Sequence, residues 1–344
     1  MINETKILAD NNYNINSSLI EFDIPNKKID FKNIIVNKSN IRTIEPSAIT
    51  FNHGMGQELF DNNKKFNNHS LFLRTEDESE ISIEYNFDKN NNILNNLIVI
   101  EAFNNTKINI IYKSEKDKIT NFYQNGFINI KTFNDVKVTL NVINLVNDKS
   151  ICMNSIETTL KDNSNVTVNY IDLGANKSYS NIFNNCNSKE CEADINYLYI
   201  ANNNDFKDIN IISDLVKENS KTVITVEGAI NDFAQKNFKG TIDFKTGSLN
   251  SDGKENEFCT ILSDTAISKS LPILLCSEGD VFGEHSSASG FIDNEQLFYL
   301  KSRGIDEQEA KKIIITSRFS KILNNIQDLD VIQEINNEIN RRLS

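Results

Sequence analysis

No stretch of this 344-residue chain approaches the roughly 20 consecutive apolar residues that a bilayer-spanning helix needs. The opening segment, MINETKILADNNYN, also lacks a basic start followed by an apolar run, so the expectation is a cytosolic protein. Positive charge is scarce. The 36 Lys+Arg stand against 48 Asp+Glu, and a formal charge of −12 disfavours phosphate backbones and anionic lipid surfaces as partners. There is no CxxC pair among the five cysteines, the nearest approach being Cys186 and Cys191 with four residues between. An odd, irregularly spaced set in a chain this long fits reduced thiols better than a disulfide framework. A phosphate loop is missing as well. Gly247 to Lys254, GSLNSDGK, has five residues between its glycines instead of four, and Glu255 stands where Ser or Thr is required. Any dependence on ATP therefore has to come from a partner.

Helical periodicity is nearly absent between residues 71 and 276. What stands there is a series of short runs of β-branched and aromatic residues, separated by Asn, Asp, Lys and Gly. Ile81 to Tyr85, Ile108 to Ile110, Phe127 to Ile130, Val136 to Leu140, Val166 to Tyr170 and Thr241 to Phe244 alternate with period two, so each buries one face. Many strands without intervening helices exclude a doubly wound α/β fold and leave a sandwich, a barrel or a β-solenoid. About 200 residues of strand is long for one sandwich and natural for stacked rungs. The abundant Asn tolerates left-handed backbone and can stack at rung corners. No strict repeat is visible.

After Gly290 the pattern becomes helical. Asp293 with Gln296 predicts a cap for a short helix that Gly304 stops. Asp306 with Glu309 predicts a second, longer helix, and Asp330 with Gln333 caps a third. The expected organisation is an N-terminal segment over 1–70 with no assigned element, a β-body over 71–290 and a helical tail over 291–344, whose apolar stripe must cover the body or a partner.

Several segments resemble one family. Residues 279–290 read GDVFGEHSSASG and residues 297–305 read LFYLKSRGI; upstream stand VEGAIND at 226–232, Phe238-Lys239-Gly240-Thr241-Ile242, and Leu271-Pro272-Ile273-Leu274-Leu275-Cys276. Together they resemble the SufB/SufD family, the scaffold subunits of the SUF iron–sulfur cluster assembly machine. The match is convincing over 213–344 and diffuse over 71–213. It implies a right-handed parallel β-helix with a C-terminal helical domain, and a scaffold without catalytic turnover. The implied partners are a SufB/SufD-type paralogue or a second copy, and an ABC-type ATPase of the SufC kind docked on the helical tail. Length favours the SufD side or a short SufB-like variant. Cys259 is displaced by about two positions from the functional Cys of SufB members.

The resemblance makes His285 the first candidate metal ligand, since a neutral imidazole suits iron and the SufD branch places an important His after the same strand. The alternative is a His that caps the last rung. Cys276, Glu278, Asp280 and Glu284 lie within nine residues of it, and thiolate, carboxylate and imidazole together would give weak, exchangeable ligation of transient iron or a cluster at a subunit interface, with no permanent cofactor. Glu284 is expected to orient the ring through a hydrogen bond. Each residue taken alone reads as structural. Glu255 and Glu257, in GKENEF, are weaker candidates, and His53 and His69 have little context. In the tail, Leu297, Tyr299, Leu300, Arg303 and Ile314 are the expected docking residues for the ATPase. Two other readings remain: a cytosolic β-helix carbohydrate-active enzyme, and a purely structural interaction protein.

Overall fold

A computed structural model describes residues 22–37, 49–51, 54–114 and 120–344. The opening segment used above for localisation, and His53, lie outside the described residues. The chain winds as a flattened parallel β-solenoid that passes through two sheets in turn. One sheet holds β2 (His69–Thr75), β4 (Ile93–Ala102), β6 (Tyr123–Thr132), β8 (Ile151–Leu160), β10 (Lys177–Cys186), β12 (Phe206–Leu215), β14 (Gln235–Phe244) and β16 (Ile267–Cys276). The other holds β1 (Ile34–Val36), β3 (Ser79–Phe87), β5 (Thr106–Ser114), β7 (Lys137–Leu145), β9 (Asn165–Asp172), β11 (Glu192–Ala201), β13 (Lys221–Ile230), β15 (Ser251–Ile261) and β17 (Val281–Phe291). Register partners in adjacent windings lie from 26 residues apart (151 to 177) to 32 apart (235 to 267), which is why no strict repeat shows in the sequence.

Alternation places one residue of every two inside the solenoid, where Ile, Val, Leu and Phe form the main core. Tyr85 stacks on Tyr112 at 5.3 Å between ring centroids, and Tyr170 on Tyr197 at 4.8 Å. A polar file threads this core: Asn96 donates to the Tyr112 hydroxyl, Gln124 donates to Asn96 and Asn154, and Asn154 donates to the Tyr170 hydroxyl. Farther on, buried Lys207 pairs with Asp172 at 3.0 Å, which also accepts from Tyr197. At one corner Asp135, Asn163, Glu190, Asn219 and Asn250 adopt positive φ, and the N–H of each donates to a carbonyl of the next winding. The asparagine ladder forms elsewhere. Asn141, Asn169 and Asn196 each donate to the Asn one winding earlier on the outer face of the nine-stranded sheet.

Both outer faces are partly covered. Helix α1 (Gln57–Phe66), in the segment with no assigned element, sets Leu59 against Ile93 and Tyr123, and Phe60 against Leu97 and Phe127. The other face lies under the tail, whose helices are α2 (Asn294–Ser302), α3 (Glu307–Leu323) and α4 (Leu329–Arg342). Asp293 and Asp306 cap the first two as predicted, and Gly304, at φ +88°, ends the turn between them. The third cap is Asp328, which accepts from Asp330 and Val331, in place of the predicted Asp330. Phe319, Ile322, Ile335 and Ile339 pack on Ile143, Ile171, Leu198 and Ile200, and each such burial is worth about 2 kcal/mol. The apolar stripe of α3 and α4 therefore belongs to the body, and α2 alone buries none of its residues. No helix among the described residues is long and apolar enough to cross a membrane.

Candidate functional site

The two ends of the solenoid differ. At the first, β1 pairs antiparallel with β3, and Phe31 packs edge-on to Tyr85 and Phe87 over the interior. At the last, β16 and β17 are the outermost strands of their sheets, each with one neighbour. β17 runs without interruption from Val281 to Phe291. Its glycines and serines are strand residues that, lacking a next winding, remain exposed. The open edge thus lies at 267–291.

Side-chain alternation sorts β17. Gly283 lies against Leu274, Ser287 donates to the Glu257 carboxylate at 2.6 Å, and the Ser289 hydroxyl is 2.9 Å from that of Ser268. His285, between Gly283 and Ser287 in this inner row, sits one winding above its register partner Glu255 at the mouth of the interior. Glu284 points to the outer face beside Phe282, which lies under the Lys254 ammonium. Ring orientation by Glu284 is therefore excluded by the pleat, which sends neighbouring side chains to opposite faces. Glu278 is occupied in the turn, where the amides of Gly247 and Gly279 hold its carboxyl below the usual range. The exposed thiol of Cys276 lies 3.1 Å from the Glu278 carbonyl. Among the described residues no three of His, Cys, Asp and Glu gather as a metal site, so the four expected ligands do not form one set.

Beneath the mouth lie two buried carboxyls with opposite surroundings. Glu257 is fully partnered: Lys236 meets it at 2.6 Å, and Ser270 and Ser287 donate to its other oxygen. Breaking such a buried pair by removing one member costs about 3–5 kcal/mol. Glu255, only 1% exposed, has no hydrogen-bond partner on either oxygen. Burial, and then the Glu257 charge, push its pKa up to about 8. Its carboxyl fills the space across from Gly240, where a Cβ would stand 2.1 Å from Oε2. Likewise the Tyr199 ring occupies the space that a side chain at Gly228 would take. The glycines of VEGAIND and F-x-G-x-I are thus interior clearances. Cys259 is buried in the same region, and burial raises its pKa. Lys236 was missed in the sequence because its role appears only when β14 and β15 face each other.

In the tail, Tyr299 and Arg303 are exposed and in contact, the guanidinium 5.2 Å from the ring. Leu297 and Leu300 are half-buried, whereas Ile314 is buried. Phe298, at 73% exposed the barest aromatic on α2, was not among the expected residues.

Residues 85–318 match the family model described as the SufBD core domain of SUF-system FeS cluster assembly. The chain is similar to the iron-sulfur cluster assembly protein SufD of Bacillus subtilis (strain 168), 29% identical over 124 residues, 36% of this chain and 28% of that protein. It is also similar to a SufBD family protein of Mycobacterium tuberculosis (strain ATCC 25618 / H37Rv), 27% identical over 160 residues, 44% of this chain and 40% of that one. The SufD of Escherichia coli (strain K12) is 29% identical over 114 residues, 33% of this chain and 27% of its own. These alignments span less than half the length of each curated relative. The family model covers most of the chain, so the chain belongs to the SufB/SufD family.

Proposed function

We propose that this chain is a non-catalytic scaffold subunit of a SUF-type iron–sulfur cluster assembly complex, working in the cytoplasm. It joins a SufB/SufD-type subunit, or a second copy, through its open last winding, and docks a SufC-type ATPase on α2. Iron or a nascent cluster is cargo, held transiently at the subunit junction by His285, with Cys276 at the corner between the two strands of the same open winding. The observation that carries the reading is the uncapped winding itself: two strand edges with unsatisfied backbone groups, flanked by exposed Phe282 and Phe291, where pairing with another sheet is expected. Two carboxyls facing the interior, away from any external groove, give no support to a polysaccharide-cleaving pair.

Co-purification with SufB-type and SufC-type subunits tests this. Phe282→Asp with Phe291→Asp should abolish capture of the sheet partner while sparing the ATPase, and Phe298→Ser with Tyr299→Ser should do the reverse. Truncation at Asp293 would be a poor test, because it strips α3 and α4 from Ile143, Ile171 and Leu198. His285→Ala should assemble and melt like the wild type but lower iron retention or cluster yield. Unchanged partner capture in both aromatic double variants would refute the docking scheme.

A further inference from the structure

We propose that Glu255 and His285 form a carboxylate–imidazole pair that takes a first-row divalent cation, Fe(II) in the cell, at the mouth of the solenoid interior. The inference rests on reading the last winding as the cargo end of the scaffold.

Glu255 and Glu257 are two residues apart on the same inner face of β15, yet only one is provided for. The chain spends an ammonium and two hydroxyls on Glu257 and nothing on Glu255, both of whose oxygens are buried without a partner. A buried carboxyl without partners is unfavourable, and a cation is what would satisfy both oxygens together. Room has been cleared for this side chain, since any residue other than glycine at 240 would collide with its carboxyl. The residue directly above it in the parallel register is His285, in the same inner row, on a strand exposed along nearly its whole length. The positions flanking the imidazole in that row are Gly283 and Ser287, so no large side chain of β17 blocks approach from the open end. Carboxylate oxygen and neutral imidazole nitrogen are matched donors for Fe(II). Two donors leave the remaining coordination to water or to the subunit that closes the winding, as exchangeable cargo requires.

The test is anaerobic titration of the purified full-length chain with Co(II), followed by visible absorption, and with Fe(II), followed by calorimetry. The wild type should bind one equivalent. Glu255→Gln, which keeps the shape of the side chain, and His285→Ala should each weaken binding at least tenfold, and the double variant should be little weaker than either. Glu284→Gln, on the outer face, should bind as the wild type does. A Glu255→Gln chain that folds and binds Co(II) with wild-type affinity overturns the pair, as does a wild type that binds none. If Glu255→Gln proves unstable, Glu255→Asp must instead show weakened binding with an altered Co(II) spectrum. Cluster yield in cells reads the scaffold role separately: a normal yield in both single variants whose Co(II) binding is lost would leave the pair standing and remove its cargo role.

Discussion

At His69, in β2, the ring Nδ1 lies 2.8 Å from the Tyr85 hydroxyl, and burial lowers its pKa to about 4. The folded chain keeps this imidazole neutral where the unfolded one, titrating near 6.5, takes up a proton. Its contribution is therefore whole above about pH 6.5 and drains away as the pH falls toward 4, amounting to about 2 kcal/mol by pH 4.5. Denaturant melts at pH 7 and pH 4.5 should show the wild type losing about that much more stability than His69→Gln; equal losses would disprove the assignment. In the sequence His69 had no context, because Tyr85 comes from the other sheet. Glu255 and Glu257 looked alike in GKENEF for the same reason, the ammonium that separates them lying 21 residues upstream. His285 stood out through its motif, but its place in the inner row, like the face on which Glu284 lies, needed the strand to be recognised as continuous.

Among the elements, whatever is set locally was readable. Period-two alternation located strands in β3, β5, β6, β7, β9 and β14, and Asp293 and Asp306 marked helix starts because a cap acts within three residues. Helix α1 escaped since Asn62, Asn63, Lys64 and Lys65 dilute its apolar face, and β17 escaped since glycine and serine carry little strand preference. The attachment of α4 is long-range and was invisible. Arg342, almost fully buried, reaches Asp205 at 2.9 Å and Glu338 at 3.3 Å, and Asp148 as well, while Arg341 meets Asp148 from the surface. Arg342→Met leaves the buried Asp205 without its ion-pair partner and should cost about 3 kcal/mol. The loss should appear first in α4, as faster amide exchange over 329–342 with β4 to β14 still protected. Uniform exchange throughout the chain would show that the tail and the solenoid unfold as one.

For the whole molecule, the asymmetry of the ends governs what can be built from it. A solenoid with two bare ends can stack head to tail without limit, as filaments do, because the contact it offers never closes on itself. Here Phe31, Ile34 and Val36 pack over the core of the first winding, where β2 still has a single neighbour, whereas β16 and β17 both end their sheets at the last. Under the proposed docking scheme the last winding is the adhesive terminus of each chain. Light scattering across a hundredfold range of concentration should show growth halting at two solenoids per particle, with or without bound ATPase; higher species would mean that the plug is displaced. Removing β1 and Phe31 should convert the same protein into an open-ended polymer. Under the proposed docking scheme, a few residues outside the region matched by the family model would limit the valence of the particle and keep a sheet made almost wholly of parallel strands from becoming a fibre.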